Sequence, residues 1–125
     1  MTITFTPQES EEHFHSALCN ALDYMSGYGL DLEFDREQYK IAKAKLNNPC
    51  YEDILMQILR DGGELIMVDI EGDGTYNSTI NIQDVHERVK NMPLNHMFDM
   101  IQEQGDATTA DVLLQTVFYS DIIFG

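Results

Sequence analysis

Hydrophobic and polar positions along the chain follow two rhythms, a helical one over most of its length and a two-residue one across positions 64–84. In the latter, Ile66, Val68 and Ile70 point one way and Leu65, Met67 and Asp69 the other. Further on, Tyr76, Ser78, Ile80 and Ile82 share a face opposite Asn77, Thr79 and Asn81. Side chains on a strand change face at every step, so both runs read as strands. Asp73-Gly74 between them signals a tight hairpin turn, because glycine takes positive φ without a Cβ clash and aspartate tolerates it. An isolated hairpin is only marginally stable. Residues 2–6, with Ile3 and Phe5 on one side, supply a third strand, and helices are expected to pack on the Ile66/Val68/Ile70 face.

The helical rhythm begins at Thr6, which caps a first helix with Pro7 in its first turn and Glu9 completing a capping box. Phe14, Ala17, Leu18, Ala21, Leu22 and Met25 form its buried face, and Gly27 and Gly29 end it. Residues 30–34, LDLEF, alternate too briefly and read as a linker. Asp35 caps a second helix through about Leu46. Pro49 opens a third, with Ile54, Leu55, Ile58 and Leu59 inward and Gly62-Gly63 as its stop. Past the hairpin, Asp84 and Glu87 read as the capping box of a short helix that ends near Asn91, ahead of Pro93. Pro93 starts a fifth helix closed by Gly105. Asp106 caps a sixth, in which Ala110, Leu113, Leu114, Val117, Phe118 and Ile122 are periodic. The apolar tail 122–124 is expected to pack on the core or to join an interface. The fold class is α+β: a small antiparallel sheet, N-terminal strand plus central β-hairpin, covered on one face by about six mostly short helices. Residues 1–125 read as a single globular domain.

Charge adds the next constraint. Twenty-two Asp and Glu against seven Lys and Arg leave a net charge of −15. A field of that sign repels phosphate backbones and excludes ordinary nucleic-acid binding by counterion release. It favours a basic protein surface or a divalent cation. Four of the seven basic residues lie in the second helix, and Arg36, Lys40 and Lys43 fall on one stripe at i, i+4, i+7. That stripe and the tail residues Ile123 and Phe124 are the candidate partner-binding positions, including contact with a second copy. No apolar run approaches the roughly 20 residues that span a bilayer. The N-terminus carries no signal-peptide pattern, and Cys19 and Cys50 are too few for a disulfide framework, so reduced thiols in a cytoplasm are expected.

Candidate chemistry centres on the acidic turn. Asp69, Glu71 and Asp73 alternate and are followed by Gly74. The run resembles the opening of an EF-hand calcium loop, although the twelfth position is Ile80 where that loop needs a carboxylate. These three side chains are the candidate ligands for calcium or magnesium. The stretch Ile66-Met67-Val68-Asp69-Ile70-Glu71 with Gly74 also resembles the first motif of the DEDD-type 3′–5′ exonucleases, and Asn95-His96-Met97-Phe98-Asp99 the second. That resemblance implies Asp69, Glu71 and Asp99 as ligands of two catalytic metals. The family's third motif is absent. His15 and Cys19 sit one helical turn apart, as zinc ligands can, with Cys50 the one other thiol. No phosphate loop and no nucleophile elbow occurs.

The functional expectation is a non-enzymatic acidic module that docks on a basic, nucleic-acid-handling partner, resembling in style the accessory proteins of phages and mobile elements. The alternatives are a divalent-metal protein using the Asp69/Glu71/Asp73 turn, and a structural subunit of a homo-oligomer or virion.

Overall fold

Thr6 holds the start of the first helix: its hydroxyl accepts from the Glu9 amide and the Glu9 carboxylate accepts from the Thr6 amide, at 3.1 and 2.9 Å. From this reciprocal cap α1 runs over Pro7–Gly27. The computed structural model describes residues 3–103 and 106–124. After α1 come β1 (Leu30–Glu33), α2 (Arg36–Lys45), α3 (Tyr51–Arg60), β2 (Leu65–Asp69) and β3 (Ser78–Ile80). The chain finishes with α4 (Ile82–Arg88), a single 3₁₀ turn (Val89–Asn91), α5 (Leu94–Ile101) and α6 (Ala107–Tyr119). The α+β class with a small three-stranded antiparallel sheet is as expected; its strand membership is not.

Strand order is β1-β2-β3, both pairings antiparallel. The third strand is β1, from the stretch expected to be a linker, whereas residues 3–6 form no strand and Thr2 lies outside the described residues. The reason is local. Pro7 starts α1 directly after Thr6, leaving no turn to carry residues 3–6 to the sheet, so Ile3 and Phe5 pack against the core as coil. At the other end of α1, Gly29 at φ 81° reverses the chain, and its carbonyl accepts from the Ile70 amide at 3.0 Å, which lays Leu30 beside Asp69. A side chain at position 29 would meet the Glu71 side chain as well as the strained φ.

The covered face of β2 is also the reverse of the expectation. Leu65 and Met67 are fully buried, level with Ile80 and Leu32 across the sheet. Ile66 and Val68 are only half-buried, and Ile70 is 61% exposed. The buried set, Leu65 and Met67, ends in Asp69, which points alternation the wrong way; Leu30 and Ile80 on the neighbouring strands decide the direction. The hairpin connection is longer than the two-residue turn expected, spanning residues 70–77. In it the Asn77 side chain accepts from the Asp69 amide at 2.7 Å, in place of a backbone partner. Ile82 belongs to α4, because Asn81 and Asp84 form the capping box there instead of Asp84 and Glu87.

One buried cluster draws on every helix and strand. At its centre α1 lies along α6, with the Phe14 and Phe118 rings 6.2 Å apart. Residues 109–118 of α6 are all buried, Asp111, Gln115 and Thr116 included. Asp106 caps α6 as expected; Gly105, the expected end of α5, lies outside the described residues. Glu11 on α1 ties down two more elements, accepting from Arg60 and facing His86, each at 2.8 Å. Burial alone would raise the Glu11 carboxyl, but the Arg60 and His86 contacts outweigh it and hold it below its ordinary value.

Candidate functional site

The acidic turn is organised by its own backbone. Asp69 Oδ1 accepts from the Gly72 amide at 2.9 Å, and Asp73 Oδ1 accepts from the Thr75 amide at 3.0 Å. The Thr75 hydroxyl, and after it the Thr75 amide, hold the Asp73 carboxyl below its ordinary value. Glu71 lies against Gly29. Neither Asp69, Glu71 and Asp73 nor Asp69, Glu71 and Asp99 bring their ligand atoms within 4.8 Å of one another. Asp99 stands exposed on α5.

The stripe residues Arg36, Lys40 and Lys43 are exposed on α2, while the 52%-exposed Ile41 projects from another side of the helix. Lys40 reaches Glu37 at 3.7 Å, while Arg36 and Lys43 make no ion pair among the described residues. The tail divides. Ile123 is exposed, but Phe124 turns inward and stacks on Tyr28 with centroids 5.0 Å apart. Gln115, fully buried, fixes this geometry: its Oε1 accepts from the Ile123 and Phe124 amides at 2.8 Å, and its Nε2 donates to the Phe124 carbonyl at 3.0 Å.

The outward face of the sheet forms a surface that no motif announced. Residues directly opposite in an antiparallel pair share a face. The register therefore groups Val68 with Asp31, and Ile66 with Glu33 and Thr79. Ile66, Val68 and Ile70 stand apart from the hydrophobic core. Beside Ile66 runs an open groove of about 570 Å³ between the end of β1 and the start of α2, lined also by Glu33, Phe34, Asp35, Gln38 and Glu64. Asp31, Glu33, Asp35 and Glu64 are exposed, and none is in an ion pair among the described residues. An apolar stripe is thus bordered by carboxylates that have no cationic partner among the described residues. Alternation along β2 contained this stripe; its solvent side follows only from pairing with β1.

A second cluster lies between α1 and the start of α3. His15 Nε2 faces Asp53 Oδ1 at 2.8 Å, and Asp53 Oδ2 accepts from the Cys50 amide at 3.1 Å, closing the N-terminus of α3. His15, Cys50 and Asp53 are the one group of His, Cys, Asp or Glu among the described residues whose ligand atoms lie within 4.8 Å of one another. Burial and the nearby Glu52, Cys50 and Asp53 push the Cys19 thiol up. At Cys50 the backbone contact to Asp53 pulls the thiol down, but burial and the Asp53 and Glu52 carboxylates leave it raised. Neither thiol is set up as a thiolate nucleophile. The pairing of His15 with Cys19 was legible in the sequence; Cys50 and Asp53 join His15 only through the packing of α3 on α1.

Comparison with family models, with curated proteins and with solved structures finds no match for this chain, so the functional reading rests on its own residues.

Proposed function

We propose that this protein acts by docking, without catalysis, and that the outward sheet face is the docking surface. The observation that carries the reading is the Ile66/Val68/Ile70 stripe outside the core, with Asp31, Glu33, Asp35 and Glu64 around it. The complementary partner is apolar at its centre and basic at its edge, since opposite charges steer encounter and fix orientation while buried apolar area supplies affinity. A basic, nucleic-acid-handling protein has that chemistry, and a net charge of −15 suits a protein that competes with phosphate for it. A phage or mobile-element accessory protein would work in this way, in a cytoplasm where two free thiols stay reduced.

The test is capture at low salt followed by identification of the bound protein. The expected partner has a basic surface and elutes as salt rises, because rim charge pairs are screened. The double variant Val68→Lys with Ile70→Lys changes side chains outside the core and should abolish capture at every salt concentration while far-ultraviolet circular dichroism stays unchanged. A partner retained by that variant would sink the proposal.

The α2 stripe favours a second reading, in which the basic partner is another copy of this chain. Arg36 and Lys43 are free of ion pairs among the described residues and stand exposed on one side of α2, a small basic complement to the acidic sheet face. Light scattering at two salt concentrations decides it: an assembly that falls to monomer at high salt supports self-docking, and a monomer at both removes it.

A further inference from the structure

We infer that His15, Cys50 and Asp53 form a binding site for a borderline-soft divalent cation, zinc in the first instance, that joins α1 to the start of α3. This inference is independent of the docking face, which lies on other elements. The three side chains offer one imidazole nitrogen, one thiol sulfur and one carboxylate oxygen, a ligand set that zinc accepts and that calcium and magnesium, which require oxygen, do not. Their ligand atoms already lie within 4.8 Å of one another. Tetrahedral zinc with bonds of about 2.0–2.3 Å places its ligand atoms about 3.3–3.8 Å apart. The separations therefore exceed zinc spacing by about 1 Å at most, and the 2.8 Å contact of His15 with Asp53 has to open by about 0.5 Å.

Orientation is already provided. The Asp53 carboxylate is aimed at His15 by the bond that its other oxygen accepts from the Cys50 amide, so a ligating group is held from behind. His15 is rooted in the long α1, and Cys50 and Asp53 are the N-cap and third residue of α3. Two rigid elements thus supply the donors. An open hollow of about 260 Å³ beside His15 and Asp53, lined also by Asn47, Pro49, Met56 and Arg60, gives an entry path. Binding releases the Cys50 thiol proton to solvent as the sulfur bonds the cation. Three protein ligands leave a fourth position for water.

The experiment titrates the reduced, metal-free protein with Co²⁺ and then displaces it with Zn²⁺. One Co²⁺ per chain should bind, with a near-ultraviolet thiolate-to-cobalt charge-transfer band that Zn²⁺ removes, and Zn²⁺ should raise the melting temperature. Cys50→Ser keeps a good helix cap, so α3 still forms; it should lose the band and bind Zn²⁺ at least about tenfold more weakly. His15→Gln should weaken Zn²⁺ binding in the same way. Absence of the band in the native protein overturns the inference, and so does a band that survives Cys50→Ser. So does stabilisation by Mg²⁺ or Ca²⁺ that equals that by Zn²⁺ and is untouched by Cys50→Ser, the result expected of an oxygen-only site.

Discussion

Asp111 is the residue on which one end of the molecule is fastened. It is buried in α6, accepts from the Tyr28 hydroxyl at 2.6 Å through Oδ2 and from Gln115 Nε2 at 3.1 Å through Oδ1. Gln115 passes the constraint to the tail, and Tyr28 stacks on Phe124. Burying a carboxylate is costly unless its oxygens are satisfied, so removing either donor strands charge in the interior. Tyr28→Phe should lower stability by about 1–3 kcal/mol in urea denaturation at neutral pH. The same pair sets an alkaline limit. Burial, then the Asp111 bond, pushes the Tyr28 hydroxyl from 10.0 up to about 12, and burial with the Asp69 charge does likewise at Tyr119. Folded protein holds these protons more tightly than the unfolded chain. Their stabilisation is complete below pH 10 and is lost as pH rises toward about 12. Urea midpoints measured across that window should fall, and fall less in Tyr28→Phe; a fall of equal size in the variant would assign the loss elsewhere.

At the scale of elements, β2 offers the clearest contrast, since adjacent residues of similar size have opposite surroundings. Met67 is fully buried beneath the helices, and Val68 is half-buried on the outward face. Met67→Ala should cost about 2–5 kcal/mol, as large-to-small core changes do, and Val68→Ala about 1 kcal/mol or less. Thermal denaturation of the two variants checks it, and a reversed order would restore the orientation that alternation first suggested. The six helices were legible because their signals are local: Thr6, Asp35 and Asp106 cap, Pro7 and Pro93 start, Gly62 stops, and apolar spacing marks the inner face. The strands were less so, because a strand exists only through a distant partner. The four residues of β1 carry the same alternation as an extended linker, and only Asp69 to Ile66 opposite them make them a strand. The apolar spacing of α6 likewise carried no sign that Asp111 and Gln115 are buried, which follows from the packing of α1, α4, α5 and β3 on that helix. Both candidate sites fall on the illegible part: the docking stripe depends on β1, and the His15 cluster on contacts across more than thirty residues of chain.

For the molecule as a whole, charge is the largest unbalanced quantity. Four of the 22 carboxylates, Glu11, Glu37, Asp61 and Asp84, have a lysine or arginine partner within 4.0 Å among the described residues, and Asp53 faces His15. Sixteen of the 22 are exposed. Folding gathers these charges, and their repulsion opposes the compact state. Salt acts on both sides of this balance. It screens the repulsion, with a Debye length of about 8 Å near physiological ionic strength, and it weakens the exposed ion pairs, which are worth about 0–1 kcal/mol each. With few pairs and many unpaired carboxylates, the repulsive term dominates, so the melting temperature should rise with sodium chloride. A gain of about 1 kcal/mol corresponds to about 3–5 °C for a chain of this length. Magnesium chloride separates general screening from occupation of the Asp69/Glu71/Asp73 turn. At matched low ionic strength Mg²⁺ should exceed Na⁺ only by the modest margin of a better counterion, and Asp69→Asn should leave that margin in place. A large excess for Mg²⁺ that disappears in Asp69→Asn would mean that the turn closes around the ion despite the backbone bonds that now hold its carboxylates apart.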